Sequence, residues 1–339
     1  MSSLFDASSI SSLLQAIPSL KILVLGDGML DHYVWGEVHR ISPEAPIPVV
    51  AIERDTYRLG GACNVALNLQ QLGAQVTFLG AIGKDEAGHT LQRLLHQHQI
   101  TCDDANFSSQ ISTIVKTRVI AQHQQICRLD RETPLSAEQA AAFTKRVEAW
   151  VQKQSFSAIV VSDYAKGSVT QPLLDQLVQH KQQSSFFLAM DPKPKNSLCY
   201  RGIDLLKPNR QEALQLAKID AGPRESFPLK KVSQAIFQQH DVQYLSITLG
   251  EEGIALVDSH QKEYRVPTTT KEVFDVSGAG DTALAALTVA FCADKSPLEA
   301  AHFANLLSGI VVRKVGTATT TPEEILSYVA SSSRTISGS

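Results

Sequence analysis

KILVLGD, residues 21–27, is an unbroken apolar run that closes on Gly26 and Asp27. A strand with no polar alternation is buried on both faces, which belongs to a parallel sheet with helices packed on each side. The pattern recurs. VTFLGAIG from Val76, SAIVVSDY from Ser157, FFLAMDP from Phe186 and YLSITLG from Tyr244 are short apolar runs that lead into Gly, Asp or Pro. Helical periodicity lies between them. Ala62, Val65, Ala66, Leu69 and Leu72 share one helix face, and Gly73 stands where a helix ends in a left-handed residue. Strands alternating with helices predict a doubly wound, mostly parallel α/β domain whose ligands bind beyond the carboxyl ends of the strands.

Two stretches break the alternation: residues 34–58, with Pro43, Pro46 and Pro48, and residues 113–130, where TIVKTRVIAQHQQICRLD reads as two β-rich runs. They predict a small β-sheet inserted in the main domain, a lid over the site; the other reading is a pair of decorated surface loops. No internal repeat is visible. The Ser-rich ending from Ala330 predicts a disordered tail over residues 330–339, leaving one domain over residues 1–329.

A chain of 339 residues can bury the core of one large α/β domain. With 31 Lys and Arg against 34 Asp and Glu there is no strong positive field to hold nucleic acid or an anionic membrane, so small-molecule partners are expected. The start, MSSLFDASSISSLLQAIPSL, lacks the basic and apolar regions of a secretion signal, and no uncharged apolar run approaches about 18 residues. A cytoplasmic protein is the expectation. Cys63, Cys102, Cys127, Cys199 and Cys292 are odd in number and contain no C-x-x-C, which argues against a zinc site and a disulfide framework.

The chemistry concentrates in DVSGAGDTALAALTVAFCA, from Asp275. Gly278, Ala279 and Gly280 lead into a helix whose stripe is Leu284, Leu287 and Phe291, so free backbone N–H groups at the helix start can face an anion. Asp281 falls in that first turn, where it could accept a proton from an attacking hydroxyl. Alone, it reads equally as an acid that complements the helix dipole. In LGGACNVALNLQQLG, from Leu59, Gly60 and Gly61 precede a helix that carries Asn64 one turn in, a donor and acceptor for sugar hydroxyls; alone, the segment reads more readily as a Gly-rich turn with a helix-starting Asn. In KPNRQEA, from Lys207, Asn209 and Glu212 share a helix face. A carboxylate there could hold Mg²⁺ through water, and the pair equally forms a capping box. LGDGMLD fails the dinucleotide fingerprint because Asp31 stands at the third Gly position, and no P-loop motif occurs. Ser277 lacks the preceding Gly of a nucleophile elbow.

The Gly-Gly-x-x-Asn and Asp-Val-Ser-Gly-Ala-Gly-Asp segments, in that order, resemble the two signatures of the ribokinase-like (PfkB) carbohydrate kinases, and the likeness extends from Lys21 to about Pro322. Within that family, DGMLDHYVWGEVHRISPEAPIPVV, KTRVIAQHQQICRLDRE, VVSDYAKG and EVFDVSGAGDT are most similar to kinases of D-glycero-β-D-manno-heptose 7-phosphate. The resemblance implies an α/β core with a β-sheet lid, ATP with Mg²⁺, and transfer to the anomeric hydroxyl of the heptose phosphate. By position, Asp281 matches the family's base and Gly278, Ala279 and Gly280 its anion hole. Asn209, Arg210, Gln211, Glu212, Thr248, Gly250, Gly253 and Asn305 match the nucleotide side. Asp27, Asp31, Gly60, Gly61 and Asn64 match the sugar side. For the K⁺ that the family often uses, Asp275 and the loop around Gly316 are the candidates. Arg128, Lys166 and Lys193 are the cations expected to receive the sugar's own phosphate. Many heptose kinases carry a C-terminal nucleotidyltransferase domain; this chain reads as the stand-alone kinase. Exposed edges in the lid point to a homodimer. Rival readings are a kinase of fructose phosphate, ribose or a nucleoside, and a non-catalytic sensor that keeps the fold.

Overall fold

The computed structural model describes residues 7–122, 124–222, 226–268, 273–314 and 316–337. The strands are β1 (Lys21–Gly26), β2 (Gly28–Ile41), β3 (Pro48–Gly61), β4 (Gln75–Gly80), β5 (Ile82–Gly83), β6 (Thr101–Cys102), β7 (Phe107–Ser108), β8 (Ile114–Ala121), β9 (Gln124–Arg131), β10 (Ala158–Ser162), β11 (Phe187–Asp191), β12 (Ile203–Leu206), β13 (Val242–Thr248), β14 (Ile254–Asp258) and β15 (Glu263–Val266). The helices are α1 (Ala7–Ala16), α2 (Ala62–Gln71), α3 (Glu86–Gln97), α4 (Ala137–Lys153), α5 (Gln171–Lys181), α6 (Arg210–Ala217), α7 (Leu229–Gln239), α8 (Ala279–Cys292), α9 (Pro297–Val311) and α10 (Pro322–Ser337).

The main sheet runs in the order β15-β14-β13-β12-β11-β10-β1-β4-β6. It is parallel from β13 to β6, and only β14 runs against its neighbours. Side chains of a strand alternate between faces, and here each face has its own core. Ile22 and Val24 of β1 pack with residues of α1, α2, α3, α8, α9 and α10, while Leu23 and Leu25 pack with residues of α4, α5, α6 and α7. The apolar run that shows no alternation in sequence is therefore a strand with a hydrophobic layer on both sides. Among the described residues no helix is long and apolar enough to cross a membrane.

A separate four-stranded sheet has the order β3-β2-β8-β9. It starts at Gly28, six residues before the expected position, and its first hairpin returns to Gly61. The early part of β2 is buried almost throughout and only its far half alternates or is exposed, so its root carries the signature of a core strand. The second hairpin covers residues 114–131, close to expectation. At the other end, α10 continues to Ser337, through the serines expected to be disordered. Neither Pro nor Gly interrupts residues 323–337, and Gly338, outside the described residues, is the first helix breaker.

Two glycines fix where the sheets meet. Gly26 has φ +143°, and a Cβ there would lie 2.0 Å from the Ser162 carbonyl oxygen. Gly61 has φ +56°, and a Cβ there would lie 2.4 Å from the Asp27 carbonyl oxygen, which accepts the Ala62 N–H at 3.0 Å to start α2. Gly26→Ala is expected to lower stability by at least about 1–3 kcal/mol through backbone strain alone. The urea midpoint should fall accordingly, and an unchanged midpoint would contradict this placement.

Candidate active site

The carboxyl ends of β1, β10, β11 and β12 gather by the starts of α2 and α8 and the root of the small sheet, and β13 ends beside the start of α6. Gly278, at φ +83°, precedes α8, and no side chain caps the helix start. Asp281 sits in the first turn and is 8% exposed. Its Oδ2 accepts the Asn64 Nδ2–H at 2.6 Å, and its Oδ1 accepts the Tyr164 hydroxyl at 3.1 Å. Asn64 is wholly buried in the first turn of α2, and its Oδ1 has no partner. Asn68 donates to the Asn64 carbonyl and accepts from the Thr282 hydroxyl at 2.7 Å, so α2 and α8 are laced together below the carboxylate.

Burial pushes the Asp281 carboxyl up from the usual carboxylate range; the Asn64 amide, the Lys207 charge and the Tyr164 hydroxyl pull it back, and nearby Asp31 adds to the rise. Lys207 follows β12, is 2% exposed and pairs with Asp191 at 2.9 Å. Burial disfavours its charge, yet the Asp191 carboxylate more than compensates and holds the ammonium protonated. A Cβ on Gly280 would meet only the Lys207 Nζ, at 3.6 Å. The helix-start amides and this ammonium thus border one open space, suited to an anion. Sequence reasoning named Gly280 and missed Lys207. Its signal was a lysine directly after a buried strand, ahead of Pro-Asn.

On the expected sugar side, Asp27 proves to be committed elsewhere. Its Oδ2 accepts the Tyr164 and Lys166 N–H groups, each at 3.0 Å, and its Oδ1 accepts the Ser168 N–H at 3.2 Å. It anchors a turn with both oxygens, a role that needs the carboxylate at a strand end but not at the sugar. Asp31 is buried and paired with Arg118 at 2.6 Å. A Cβ on Gly60 would come within 2.8 Å of the Asp31 carboxylate, so glycine makes room for it.

The three cations expected to meet a phosphate each have a carboxylate partner already: Arg128 with Asp130 at 2.9 Å, Lys166 with Glu132 at 2.6 Å, and Lys193 with Glu212 at 2.8 Å. Strand register brings in two more that the sequence pattern did not single out. Asp31, Lys116 and Asp130 form one row across β2, β8 and β9, and Tyr33, Arg118 and Arg128 the next row on the same face. Among the described residues Lys116 has no carboxylate at ion-pairing distance, and its half-burial lowers its pKa from the usual lysine value.

On the expected nucleotide side, Asn209 and Glu212 form the capping box of α6: Asn209 accepts the Glu212 N–H at 2.9 Å and donates its own to the Glu212 Oε2 at 3.0 Å. Asn209 also bridges to Thr248 at the end of β13. Beyond it, Gly250 (φ +63°) has open space where a Cβ would stand, whereas a Cβ on Gly253 would lie 2.1 Å from the Val266 carbonyl oxygen. Arg210 pairs with Glu252, and Gln211 is exposed. Asn305, on α9, donates to the Pro267 carbonyl at 3.0 Å and so fastens the segment after β15. Asp275 accepts the Ser277 N–H at 2.8 Å and the Gly316 N–H at 2.9 Å; these bonds outweigh burial and keep its carboxyl below the usual range. Among the described residues no group of three His, Cys, Asp or Glu converges as a metal cluster would.

Residues 19–324 match the pfkB family carbohydrate kinase profile. Bifunctional protein HldE of Pelobacter propionicus is 40% identical over 329 residues, covering 96% of this chain and 66% of its own length. That of Magnetococcus marinus is 41% identical over 300 residues, covering 88% of this chain and 61% of its own length. The chain therefore spans less than two thirds of these curated relatives. Phosphofructokinase-2 of Escherichia coli, in complex with substrates and products, superposes with a TM-score of 0.73 at 20% identity, covering 93% of this chain and 99% of that one. Ribokinase of Thermotoga maritima gives 0.69 at 18%, covering 92% and 99%. These likenesses show a ribokinase-like fold. With the family profile spanning nearly the whole chain, and Asn64 and Asp281 from its two separate signatures hydrogen-bonded to each other, the chain belongs to the PfkB family of carbohydrate kinases.

Proposed function

We propose that this protein transfers the γ-phosphoryl group of ATP to the anomeric hydroxyl of D-glycero-β-D-manno-heptose 7-phosphate. The product is the 1,7-bisphosphate, made in the cytoplasm for nucleotide-activated heptose and lipopolysaccharide. The observation that carries the chemistry is the buried Asp281 carboxylate beside an uncapped helix start and a buried ammonium. The four segments most similar to heptose 7-phosphate kinases carry the choice of sugar; they include the Tyr164 turn, which hydrogen-bonds that carboxylate, β2, whose Asp31 lies near it, and β8, whose Arg118 and Lys116 meet Asp31 and the Tyr164 ring.

In this mechanism the acceptor hydroxyl lies against Asp281, which takes its proton as the oxygen attacks the γ-phosphorus and the bond to the bridging oxygen of ADP breaks. The amides of the Gly278-Ala279-Gly280 segment and the Lys207 ammonium offset charge on the migrating group. Asp31 and the unpartnered Asn64 Oδ1 accept sugar hydroxyls. The small sheet covers the cleft and keeps water from competing. Mg²⁺ would supply charge neutralisation on the ATP phosphates; Glu212, mostly buried and already accepting from Lys193 and the Asn209 N–H, is the carboxylate that would hold it, through water. Asp275, held anionic at the Gly316 loop, is the side chain that would face K⁺. Lys116, the cation of this face without a carboxylate partner among the described residues, receives the sugar's 7-phosphate.

The far and outer parts of the small sheet expose Ile41, Ile47, Ile52, Tyr57 and Leu129. Burying them against a second copy would make a homodimer. Light scattering should return twice the chain mass, and a monomer would end that part of the reading.

A coupled ADP-release assay is expected to run far faster with heptose 7-phosphate than with fructose 6-phosphate, ribose or a nucleoside; a reversed preference would overturn the sugar assignment. Asp281→Asn should keep affinity for both ligands and lose about 10²- to 10⁴-fold in kcat, and near-normal turnover would refute the base. Lys116→Met should raise KM for the sugar phosphate by about tenfold or more, with KM for ATP unchanged, because one charge-assisted contact is lost. An unaltered sugar KM would remove Lys116 from the phosphate site.

A further inference from the structure

We infer that Tyr164 is a positioning residue for phosphoryl transfer, its hydroxyl holding one oxygen of Asp281 while the Asn64 amide holds the other. The inference rests on Asp281 as the base, and concerns how that base is kept in place and in which protonation state.

The turn that carries Tyr164 is fastened on every side. Its entry is fixed by the Asp163 N–H, which donates to the Asp191 carbonyl at 3.1 Å. Asp27 gathers three alternate amides of the turn, those of Tyr164, Lys166 and Ser168, and the Asp163 carboxylate accepts the Ala165 N–H at 2.7 Å and the Asn196 side chain at 2.8 Å. Ala165 is held at φ +57°, a conformation that costs a residue other than glycine, and Gly167 at φ +97°. Leu135 N–H donates to the Lys166 carbonyl at 2.8 Å. So much fixing of a short loop has one visible product: the Tyr164 ring points inward and its hydroxyl reaches Asp281 at 3.1 Å. From the small sheet, Lys116 lies over that ring, 5.5 Å from its centre. Burial and the Asp281 charge push the phenol well above its ordinary pKa, so the hydroxyl keeps its proton and acts as the donor.

Two donors on opposite oxygens fix the rotation of the carboxylate and leave a lone pair on each for the acceptor hydroxyl. They also favour the charged form against burial. The charged groups facing Asp281 are Lys207 and Asp191 from the strand ends and Asp31 with Arg118 from the small sheet; Lys116 lies behind the Tyr164 ring. Removing a donor to the anion raises the carboxyl's pKa, so the base is protonated up to a higher pH and the acid limb of kcat/KM moves upward.

The experiment is the pH profile of ADP release by the full chain carrying Tyr164→Phe, which keeps the ring and its contact with Lys116. The acid limb should move up by about one pH unit, with most of the rate recovered on the alkaline plateau and KM for ATP unchanged. A difluorotyrosine installed at position 164, a stronger donor of nearly the same shape, should move the limb down, and it serves if the Phe variant folds poorly. A limb that stays in place in both variants, or a loss of rate equal at every pH, would overturn the role. Failure of the base itself is distinguishable: then Asp281→Asn turns over normally, whatever Tyr164 does.

Discussion

A carboxylate kept out of water at the start of α8 is the constraint that organises this molecule. Removing an ion from solvent costs several kcal/mol unless partners surround it. Asn64, Tyr164 and the Lys207 charge are the partners that meet that cost for Asp281. Each arrives from a different element. The glycine hinge at Gly61 starts α2 and sets Asn64, the Asp27 anchor shapes the turn that sets Tyr164, and the Asp191 ion pair keeps Lys207 charged where the strands end. The two hydrophobic cores on either face of the sheet make those arrivals rigid, because a doubly covered strand has little freedom to shift at its end.

Much of this was legible in the residues. Unbroken apolar runs such as KILVLGD marked strands with a layer on both sides, and the glycine-rich lead into Asp281 marked a helix start, which no side chain caps. What was hidden has a common physical cause: sequence shows a side chain's capacity, not how that capacity is spent. Asp27 reads as a ligand at a strand end, but its oxygens are used by amides far along the chain. Arg128, Lys166 and Lys193 read as phosphate receivers, but each has met a carboxylate. Lys116 and Tyr164 gain meaning only from the register of β2 with β8 and from a turn that Asp27, Asp191 and Asn196 fasten from distant parts of the chain. The root of β2 was missed because its buried residues continue the core signature of KILVLGD, whereas the prolines further on set residues 34–58 apart.

The charge arrangement above the cleft follows from that register. Alternation puts Asp31, Lys116, Arg118, Arg128 and Asp130 on one face of the small sheet; Asp31, Lys116 and Asp130 alternate in sign across the strands, while the facing like charges Arg118 and Arg128 are each paired with an acid of that row, Asp31 and Asp130. Such pairing keeps several cations near a site without a strong net field. Under the proposed function, the sugar's phosphate would meet Lys116 among charges already arranged, with little new ordering.

The β2–β3 hairpin leaves the main domain at Gly28 and rejoins it at Gly61, carrying Asp31 near its base. The small sheet and Asp31, the acid proposed to face the sugar, are consequently a single cassette with both attachment points side by side. Evolution or an engineer grafting a different hairpin at those two glycines would exchange the small sheet and Asp31 together, while the Asp281 carboxylate on α8 stays behind in the scaffold.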